Sequence, residues 1–395
     1  MKITRLTDLD VTNQRVVIRV DFNVPLNPDG SIANAYRLEA AMPTLQHLLK
    51  HNAKVLILSH LGKPKEGEFD PKFSLKPVAD WLTQRLGFEV PLVKNWLEPM
   101  DIAPGKAALA ENVRFNVGEG ANDEALSRKI AALSDIYVMD AFATAHRAQA
   151  STCGAIKFAP KACGGLLLMA EVDALERILE NPKPPVVAIA AGSKISTKLA
   201  LLKNLIGKVQ TLLVGGGIAN TFLAASGVKI GKSLHEVELL ATAKEILELA
   251  NSKNTSIPLP SDVVVAKEAN DTAAVSSKNV SEVLDDEMIL DIGPNTTAQW
   301  SKLLQEAGTI VWNGPVGMFE LNHFREGTKA LAAAIANSKA FSVLGGGDTV
   351  AAIERCGFKN EQFGYVSTAG GAFMEFLQGE KLPALEALQA RAVLR

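Results

Sequence analysis

The sequence is poor in cysteine and aromatic residues, and it carries almost no net charge. Its 395 residues include three cysteines and 6% aromatic side chains, and the formal net charge is −2. Cys153, Cys163 and Cys356 form no Cys-x-x-Cys pair, which disfavours a metal cluster or a disulfide framework and favours reduced thiols in a cytosolic protein. The near balance of charge gives no overall basic field that would attract nucleic acid or an anionic membrane.

Long apolar runs are also missing. No run approaches the ~18 residues that a membrane span needs, and the start, Met1 to Arg5, leads into charged residues without the apolar core of a signal peptide. We therefore expect a soluble, cytoplasmic protein that uses neither a membrane nor nucleic acid as its partner. A chain of this length is too long for one hydrophobic core and predicts two domains.

Two familiar nucleotide-binding patterns are absent. A Walker A loop requires a glycine where Ser226 precedes Gly231-Lys232-Ser233. A dinucleotide fingerprint requires a third glycine where Asn220 follows Gly215 and Gly217, and where Val350 follows the glycines at 345–347. The sequence therefore supports neither a P-loop enzyme nor the usual nicotinamide dehydrogenase.

Strand-like apolar runs alternate with helical stretches along most of the chain, which is typical of an α/β protein with parallel sheets flanked by helices. Helices are predicted at Tyr36–Lys50, 75–86, 123–133 (with Asn122 as the cap), 196–205, 236–250, 296–306 and 325–336. Strands are predicted at 16–23, 55–61, 107–115, 136–142, 186–191, 211–216, 262–266, 288–293, 309–313 and 341–345.

The predicted domain boundary is the run Asn181-Pro182-Lys183-Pro184-Pro185. Three prolines within five residues cannot continue the helix that runs from Leu166 to about Leu179. That helix is predicted to link the domains and to act as a hinge element. The predicted domains are residues 1–180 and 186–375.

Several predicted strands end in a polar or glycine-rich turn. In open parallel sheets, ligands bind beyond the carboxyl ends of the strands, so a group of such turns predicts two facing ligand crevices. The turns are Asp21-Phe22-Asn23, Ser59-His60-Leu61-Gly62, Gly215-Gly216-Gly217, Asn313-Gly314-Pro315 and Gly345-Gly346-Gly347-Asp348-Thr349.

Basic side chains cluster near these turns. Arg37, Arg114 and Arg147, with His60 and His146, favour a small anionic substrate, because a guanidinium group binds carboxylate or phosphate at two points. Any one of these residues alone is more often a solvated surface group, and Arg147 is the strongest because it closes a strand-end segment of small residues.

Lys194 and Lys198 are four residues apart at the start of a predicted helix and would share one face of it. Two ammonium groups at a helix N-terminus favour phosphate binding over the alternative of solvated lysines. Glu320 lies in a predicted loop, where its carboxylate either accepts a hydrogen bond from a ribose hydroxyl or is simply at the surface.

Taken together, these segments resemble the phosphoglycerate kinase family. The resemblance is carried, in family order and across nearly the full length, by 19–25, 59–62, 111–115, 140–142, 144–147, 192–194 with Lys198, 215–220, 312–315, 345–349, 367–368 and 370–371. It implies two Rossmann-like domains joined by a hinge helix, with a C-terminal segment, 376–395, that returns to the first domain.

The resemblance also implies an activity and a set of ligands. The activity is transfer of the acyl phosphate of 1,3-bisphosphoglycerate to Mg-ADP, giving ATP and 3-phosphoglycerate, in a monomer that closes about a hinge. The phosphoglycerate would be bound by Asp21, Phe22, Asn23, Arg37, Ser59, His60, Leu61, Gly62, Arg114 and Arg147. The nucleotide would be bound by Lys194, Lys198, Gly216, Gly217, Asn313, Glu320, Gly346, Gly347, Asp348 and Thr349, with Mg²⁺ on Asp348. Arg37, Lys194, Gly346 and Gly347 would serve catalysis.

Four positions depart from the common family pattern, namely Lys63, Ala143, Ala191 and Ala369. None is a predicted ligand, so they concern affinity rather than identity. Two other functions remain as alternatives at this point. A two-domain nicotinamide dehydrogenase is disfavoured by the missing third glycine, and a hinged solute-binding protein is disfavoured by the missing export signal and by two phosphate sites instead of one.

Overall fold

The computed structural model describes residues 1–392. Its strands are β1 Arg15–Arg19, β2 Lys54–Leu58, β3 Leu92–Val93, β4 Lys106–Ala110, β5 Ile136–Met139, β6 Lys161–Gly164, β7 Val186–Ala191, β8 Thr211–Gly215, β9 Asp262–Ala266, β10 Ser276–Asn279, β11 Met288–Ile292, β12 Thr309–Asn313, β13 Phe341–Leu344 and β14 Tyr365–Val366.

The α-helices are α1 Tyr36–Lys50, α2 Lys76–Leu86, α3 Glu124–Ala132, α4 Ala155–Phe158, α5 Leu166–Leu179, α6 Leu199–Leu205, α7 Gly216–Ala225, α8 Leu240–Ser252, α9 Pro294–Glu306, α10 Glu326–Ala336, α11 Gly347–Arg355, α12 Gly371–Leu377 and α13 Pro383–Arg391. None of the helices described is long and apolar enough to cross a membrane.

The chain folds as two compact units. One contains Met1–Asp173 together with the described residues from Lys381 onward, and the other contains Ala174–Glu380. The division therefore falls inside α5 and just before α13. In the first unit, the N–H of Ala384 at the start of α13 donates to the carbonyl of Ala145 at 3.1 Å. Residues 393–395 of the predicted C-terminal segment lie outside the described residues.

The first unit is built on a six-stranded sheet in the order β3-β4-β2-β1-β5-β6. Every neighbouring pair is parallel. Val16 and Ile18 of β1 pack with Val55 of β2 and Val138 of β5 in one buried cluster, because alternate positions of central strands point into the same side of the sheet. The strand order reverses between β1 and β5, and ligands of open parallel sheets bind at such a point.

The second unit has a five-stranded parallel sheet in the order β14-β13-β12-β7-β8. Its order reverses between β7 and β12. The α/β class and the parallel sheets are thus confirmed. The strands predicted at 262–266 and 288–293 belong to a separate antiparallel sheet, β10-β9-β11, so their assignment to a parallel sheet was wrong. Val263 and Val265 of β9 pack with Val283 in a small buried cluster. The strand is therefore as apolar as a core strand of a parallel sheet, although its pairing is antiparallel.

Predicted element ends were less accurate than their positions. The helix Tyr36–Lys50 is confirmed, but β4 ends at Ala110, whereas the prediction extended it to Phe115. A 3₁₀ turn occupies Val113–Phe115 instead. The cap at Asn122 was also wrong. The carboxylate of Asp123 accepts the hydrogen bond from the N–H of Leu126 at 2.8 Å, and Asn122 has a left-handed backbone with φ 56°.

Candidate functional site

The loop after β1 is held as a small hydrogen-bonded unit. Arg37 Nη1 donates to Asp21 Oδ2 at 2.9 Å and to the carbonyl of Asn23 at 3.1 Å. The Asn23 side-chain oxygen accepts from the N–H of Gly62 at 2.8 Å, which ties the turn after β1 to the turn after β2. The structure therefore brings together four of the predicted substrate residues at the carboxyl edge of the first sheet.

Three further predicted substrate residues use their side chains within the fold. Phe22 and Leu61 are buried in the hydrophobic core of the first unit. The hydroxyl of Ser59 accepts from the N–H of Phe22 at 2.8 Å. Only the main chain of Phe22 and Leu61 is therefore left to meet a ligand, and their binding role stays a prediction.

A basic cluster surrounds the buried ring of His60. Burial lowers the pKa of His60 well below its usual value, and so do four guanidinium groups, those of Arg19, Arg114, Arg147 and Arg37. The imidazole is therefore neutral. Burial, with Arg147 and Arg19 nearby, also lowers the pKa of Arg114 to about 10, so its guanidinium is charged at neutral pH. Several cations without an equal number of acids make this edge suited to an anion.

Arg19 belongs to this basic cluster, although the sequence analysis did not predict it as a site residue. It ends β1, it is fully buried, and its Nε donates to Ser151 Oγ at 2.9 Å. The carboxylate of the buried Glu119 accepts from the N–H of Ser151 at 3.0 Å. An arginine inside the apolar run 16–20 was the available signal, because a charged residue on a buried strand requires a buried partner.

The second unit contains a cavity of about 280 Å³ at the carboxyl edge of its sheet. Leu234, Ile289, Leu290, Pro315, Met318 and Phe319 form its apolar wall, and Gly192, Ser193, Gly216, Gly217, Asn220, Gly317, Glu320 and Asp348 complete the lining. Of the predicted nucleotide residues, Gly216, Gly217, Glu320 and Asp348 thus share one cavity. An apolar wall with a few polar groups is typical of a small-molecule site.

Close main-chain packing explains the glycines on the cavity wall. A Cβ at Gly217 would lie 2.1 Å from the carbonyl oxygen of Ser193, and one at Gly216 would lie 2.7 Å from that of Gly192. The turn after β7 and the start of α7 therefore touch through their backbones, which no larger residue permits without displacement.

Lys198 and Asn313 form a second group beside the cavity, although neither is among the described residues that line it. Lys198 Nζ donates to the carbonyl of Asn313 at 3.0 Å and also to its side-chain oxygen. Burial lowers the pKa of Lys198 to about 8, and the carboxylate of Asp348 opposes that shift. Lys198 is therefore mostly a cation at neutral pH and loses its charge more readily than an ordinary lysine.

The buried hydroxyl of Thr349 ties two turns together. It accepts from the N–H of Gly314 at 2.7 Å and donates to the carbonyl of Gly345 at 2.9 Å. The side-chain amide of Asn313 donates to the same carbonyl at 2.7 Å. These bonds set the glycine turn before α11, where Gly346 has φ 99° and Gly347 begins the helix. The first N–H groups of α11 are then available for phosphate.

The prediction that Lys194 and Lys198 share a helix face was wrong. Lys194 has an extended backbone, with φ −135° and ψ 127°, and precedes a 3₁₀ turn over Ile195–Lys198. The turn lacks α-helical spacing, so four residues no longer place two side chains on one face. Lys194 is exposed, and Glu236 accepts from the N–H of Ser196 at 2.8 Å just after it.

Asp348 fits the role of a magnesium ligand. It is exposed, it lines the cavity, and it lies in the first turn of α11. No group of three or more histidine, cysteine or acidic side chains among residues 1–392 is placed to hold a metal ion. A single carboxylate suffices for Mg²⁺ that arrives with a nucleotide, since the phosphates and waters provide its other ligands.

Comparison with known proteins assigns the chain to a family. The model of the phosphoglycerate kinase family matches residues 6–380. A relative named phosphoglycerate kinase from Francisella philomiragia subsp. philomiragia is 54% identical over 394 residues, with 100% of both chains covered. One of the same name from Francisella tularensis subsp. holarctica OSU18 is 53% identical over 393 residues, again with 100% of both covered.

Solved structures agree with the sequence relatives. The phosphoglycerate kinase from Coxiella burnetii superposes with a TM-score of 0.96 at 53% identity, over 99% of this chain and 100% of that one. The phosphoglycerate kinase from Pyrococcus horikoshii OT3 superposes with a TM-score of 0.83 at 32% identity, over 98% and 99%. The chain therefore belongs to the phosphoglycerate kinase family.

Proposed function

We propose that this chain catalyses the reversible transfer of a phosphoryl group from 1,3-bisphosphoglycerate to ADP, a step of glycolysis and gluconeogenesis. The observation that carries the proposal is that the family match over residues 6–380 includes both ligand-binding edges. Each edge holds the residue types that its half of the reaction needs. The nicotinamide dehydrogenase considered above is not favoured, because the full-length relatives are named as kinases.

The acid-sugar substrate binds at the edge of the first sheet. Arg37, Arg114 and Arg147 bind its phosphate and carboxyl oxygens, since guanidinium groups pair with both at two points. Asp21 and Asn23 are held by Arg37 and Gly62, and their oxygens orient the substrate hydroxyl. The neutral ring of His60 adds a hydrogen bond without further charge.

The nucleotide binds at the edge of the second sheet. The apolar wall of the cavity takes the base, and Glu320 accepts from a ribose hydroxyl. Lys198, the N–H of Gly346 and the first N–H groups of α11, from Gly347 to Thr349, bind the phosphates. Mg²⁺, held by Asp348, would neutralise phosphate charge when it is bound with the nucleotide.

The transfer itself requires no nucleophile from the protein. A terminal oxygen of ADP attacks the phosphorus in line, the bond from phosphorus to the acyl oxygen breaks, and the carboxylate of 3-phosphoglycerate leaves with the electron pair. Arg37 and Lys194 stabilise the charge on the equatorial oxygens of the moving group. The attacking oxygen is already ionised at neutral pH, so no general base is needed.

We infer further that the two ligand-bearing units close on one another in the ternary complex and exclude water, which would otherwise hydrolyse the acyl phosphate. The enzyme works as a cytoplasmic monomer in this proposal. Small-angle scattering tests closure, because the radius of gyration should fall only when both ligands are present. An unchanged scattering profile would contradict it.

A coupled assay with ATP, magnesium and 3-phosphoglycerate tests the activity. We expect turnover that needs all three components. Absence of turnover in a folded preparation that binds both ligands would refute the kinase. As a control, NADH fluorescence should not change on addition of the protein, whereas quenching would favour the dehydrogenase.

A further inference from the structure

Ser151 is the centre of a buried polar network in the first unit. Its Oγ donates to Glu119 Oε1 at 2.5 Å, and its N–H donates to Glu119 Oε2 at 3.0 Å. The same Oγ accepts from Arg19 Nε at 2.9 Å. The hydroxyl of Tyr137 donates to the carbonyl of Ser151. Both polar ends of this one residue are thus occupied by partners far from it in sequence.

All members of the network are inaccessible to water. Arg19, Tyr137 and Ser151 are 0% exposed and Glu119 is 1% exposed. A fully buried guanidinium group is tolerated only where a counter-charge and hydrogen-bond acceptors are provided. Glu119 provides the charge, and Ser151 provides the acceptor between them. A buried ion pair of this kind often adds little to the free energy of unfolding. The terminal nitrogens of Arg19 are therefore the part of the side chain that can serve another role.

The local backbone explains how Ser151 reaches this position. Residues Ala150–Gly154 form a π-helical turn, and the N–H of Ala150 donates to the carbonyl of Glu119 at 3.0 Å. The wide turn points the side chain and the N–H of Ser151 to the same carboxylate. Turns of this type are rare and are frequent at functional sites.

The other end of Arg19 contacts His60. Arg19 Nη2 lies 3.2 Å from His60 Nδ1. A guanidinium group has donors only, so Nδ1 must accept, and the ring proton of the neutral imidazole is then on Nε2. The second terminal nitrogen, Nη1, donates to the carbonyl of Val20, so Nε, Nη1 and Nη2 all have partners while Ser151 is present.

We propose that Glu119 and Ser151 are positioning residues that act through Arg19 to keep His60 as the Nε2–H tautomer, and that this tautomer sets the affinity for the acid-sugar substrate. The proposal rests on the proposed function for the identity of that substrate. The network itself needs no ligand to form. His60 then presents a fixed N–H donor to an anionic oxygen of the substrate. The buried carboxylate of Glu119 touches no substrate and acts on that donor through Ser151 and Arg19.

Nitrogen NMR of the ligand-free protein with ¹⁵N-labelled histidine tests the network directly. The protein has six histidines, and His60→Gln identifies the signal. We expect unprotonated Nδ1 and protonated Nε2 in the wild type. In Ser151→Ala, Arg19 turns towards Glu119, so part of the His60 population should gain a proton on Nδ1. Tyr137→Phe removes only the bond to the Ser151 main chain and should shift the signal less.

Kinetics provide the second measurement. Ser151→Ala and Glu119→Gln should raise the KM for 3-phosphoglycerate by about tenfold, the size expected for one charge-assisted hydrogen bond, while kcat and the KM for ATP change little. The matched control is Ser134→Ala, another buried serine of the same unit, whose Oγ donates only to the carbonyl of Ala131. It should leave both the His60 signal and the kinetics as in the wild type.

The two measurements separate the possible failures. A wild-type His60 signal with a protonated Nδ1, or an unchanged signal in every variant, would overturn the network. If the wild type shows the expected His60 signal and Ser151→Ala shifts it, but the wild type has no kinase activity, the network stands and the proposed function is refuted. Equal loss of kcat and of ATP binding in Ser151→Ala would show a general structural role and would also overturn the proposal.

Discussion

Lys198 and Asn313 are joined across the two central strands of the second sheet. Lys198 follows β7, its Nζ donates to the carbonyl of Asn313 at the end of β12 at 3.0 Å, and β7 and β12 are neighbours in the sheet. Burial lowers the pKa of Lys198 from its ordinary value of 10.5 to about 8. The charge of this lysine is therefore lost at mildly alkaline pH.

The first prediction concerns the pH dependence of nucleotide binding. Phosphate binds the charged form of Lys198, so binding takes up a proton above about pH 8, and ADP affinity should fall as the pH rises through that value. Lys198→Met should bind ADP about tenfold more weakly at pH 7 and should lose this step. Calorimetric titration at several pH values, in buffers of different ionisation enthalpy, measures both effects.

The control for this prediction is Lys203→Met, which removes an exposed lysine of α6, the helix that directly follows Lys198. It should keep the wild-type affinity and the wild-type step. An identical pH dependence in Lys198→Met and the wild type would mean that another group titrates.

The second prediction compares two adjacent glycines. Gly346 has φ 99°, and a Cβ there would lie 2.7 Å from Asn313 Nδ2, whereas a Cβ at Gly347 would meet nothing within 4 Å. Gly346→Ala should therefore weaken ATP binding and lower kcat, since strain of about 1–2 kcal/mol and the contact with Asn313 displace the turn. Gly347→Ala keeps the main-chain N–H and should change both parameters little.

Steady-state kinetics with thermal melts check this comparison. If a folded Gly347→Ala enzyme loses as much ATP affinity and kcat as Gly346→Ala, backbone strain and the contact with Asn313 do not explain the loss. Direct contact of the new side chain with the moving phosphoryl group would then be the explanation.

The third prediction separates turnover from binding at Arg37 and Lys194. Both are proposed to stabilise charge that is greatest in the transition state, so Arg37→Ala and Lys194→Ala should lower kcat by roughly 10²-fold or more. Arg37 also binds the acid-sugar substrate before transfer, so Arg37→Ala should raise the dissociation constant of 3-phosphoglycerate, but by less than it lowers kcat, whereas Lys194→Ala should change the dissociation constants little. Arg85→Ala is the control, because Arg85 forms an exposed pair with Glu39 in the same unit as Arg37. Raised KM with unchanged kcat would assign Arg37 and Lys194 to ground-state binding.

The sequence predicted the two parallel sheets and the polar turns at their carboxyl edges because these follow from local patterns. Tyr36–Lys50 shows helical periodicity, and the turns after β1, β2, β12 and β13 are polar or glycine-rich. The features that the sequence did not predict depend on contacts between residues that are far apart in the chain. Nothing near Ser151 reveals that it meets Arg19, 132 residues away. The antiparallel pairing of β9 with β11 is likewise set by packing, since β9 alone has the composition of a parallel strand.

Two of the wrong local predictions, the cap at Asn122 and the helix face of Lys194, have a common physical cause. Asn122 and Asp123 are both favourable caps, and the choice depends on which backbone is left-handed. Lys194 precedes rather than begins a helix, because Ser196 is bound by the distant Glu236. In each case hydrogen bonds to one carboxylate, that of Asp123 or that of Glu236, decide between local conformations of similar intrinsic preference.

The fourth prediction concerns Asp291, a buried residue of β11 that is bonded to the start of α10. Its carboxylate accepts from the N–H groups of Gly327, in the first turn of α10, at 2.8 Å and of Ile292 at 2.9 Å. Burial raises the pKa of Asp291 from 3.8 to about 7. The folded state therefore binds a proton between about pH 4 and 7 that the unfolded state has lost, so this group makes the free energy of unfolding decrease as the pH rises through that range.

Asp291→Asn should remove that decrease, because the amide is neutral at every pH and still offers an oxygen to one N–H. Relative to the variant, the wild type should lose on the order of 2–4 kcal/mol between pH 4.5 and 8. Urea unfolding of both proteins across this range, with Glu354→Gln as a control for the loss of one exposed acid, measures the difference. Parallel stability curves for wild type and Asp291→Asn would show that Asp291 does not change its charge on unfolding, and that its role is only to hold α10.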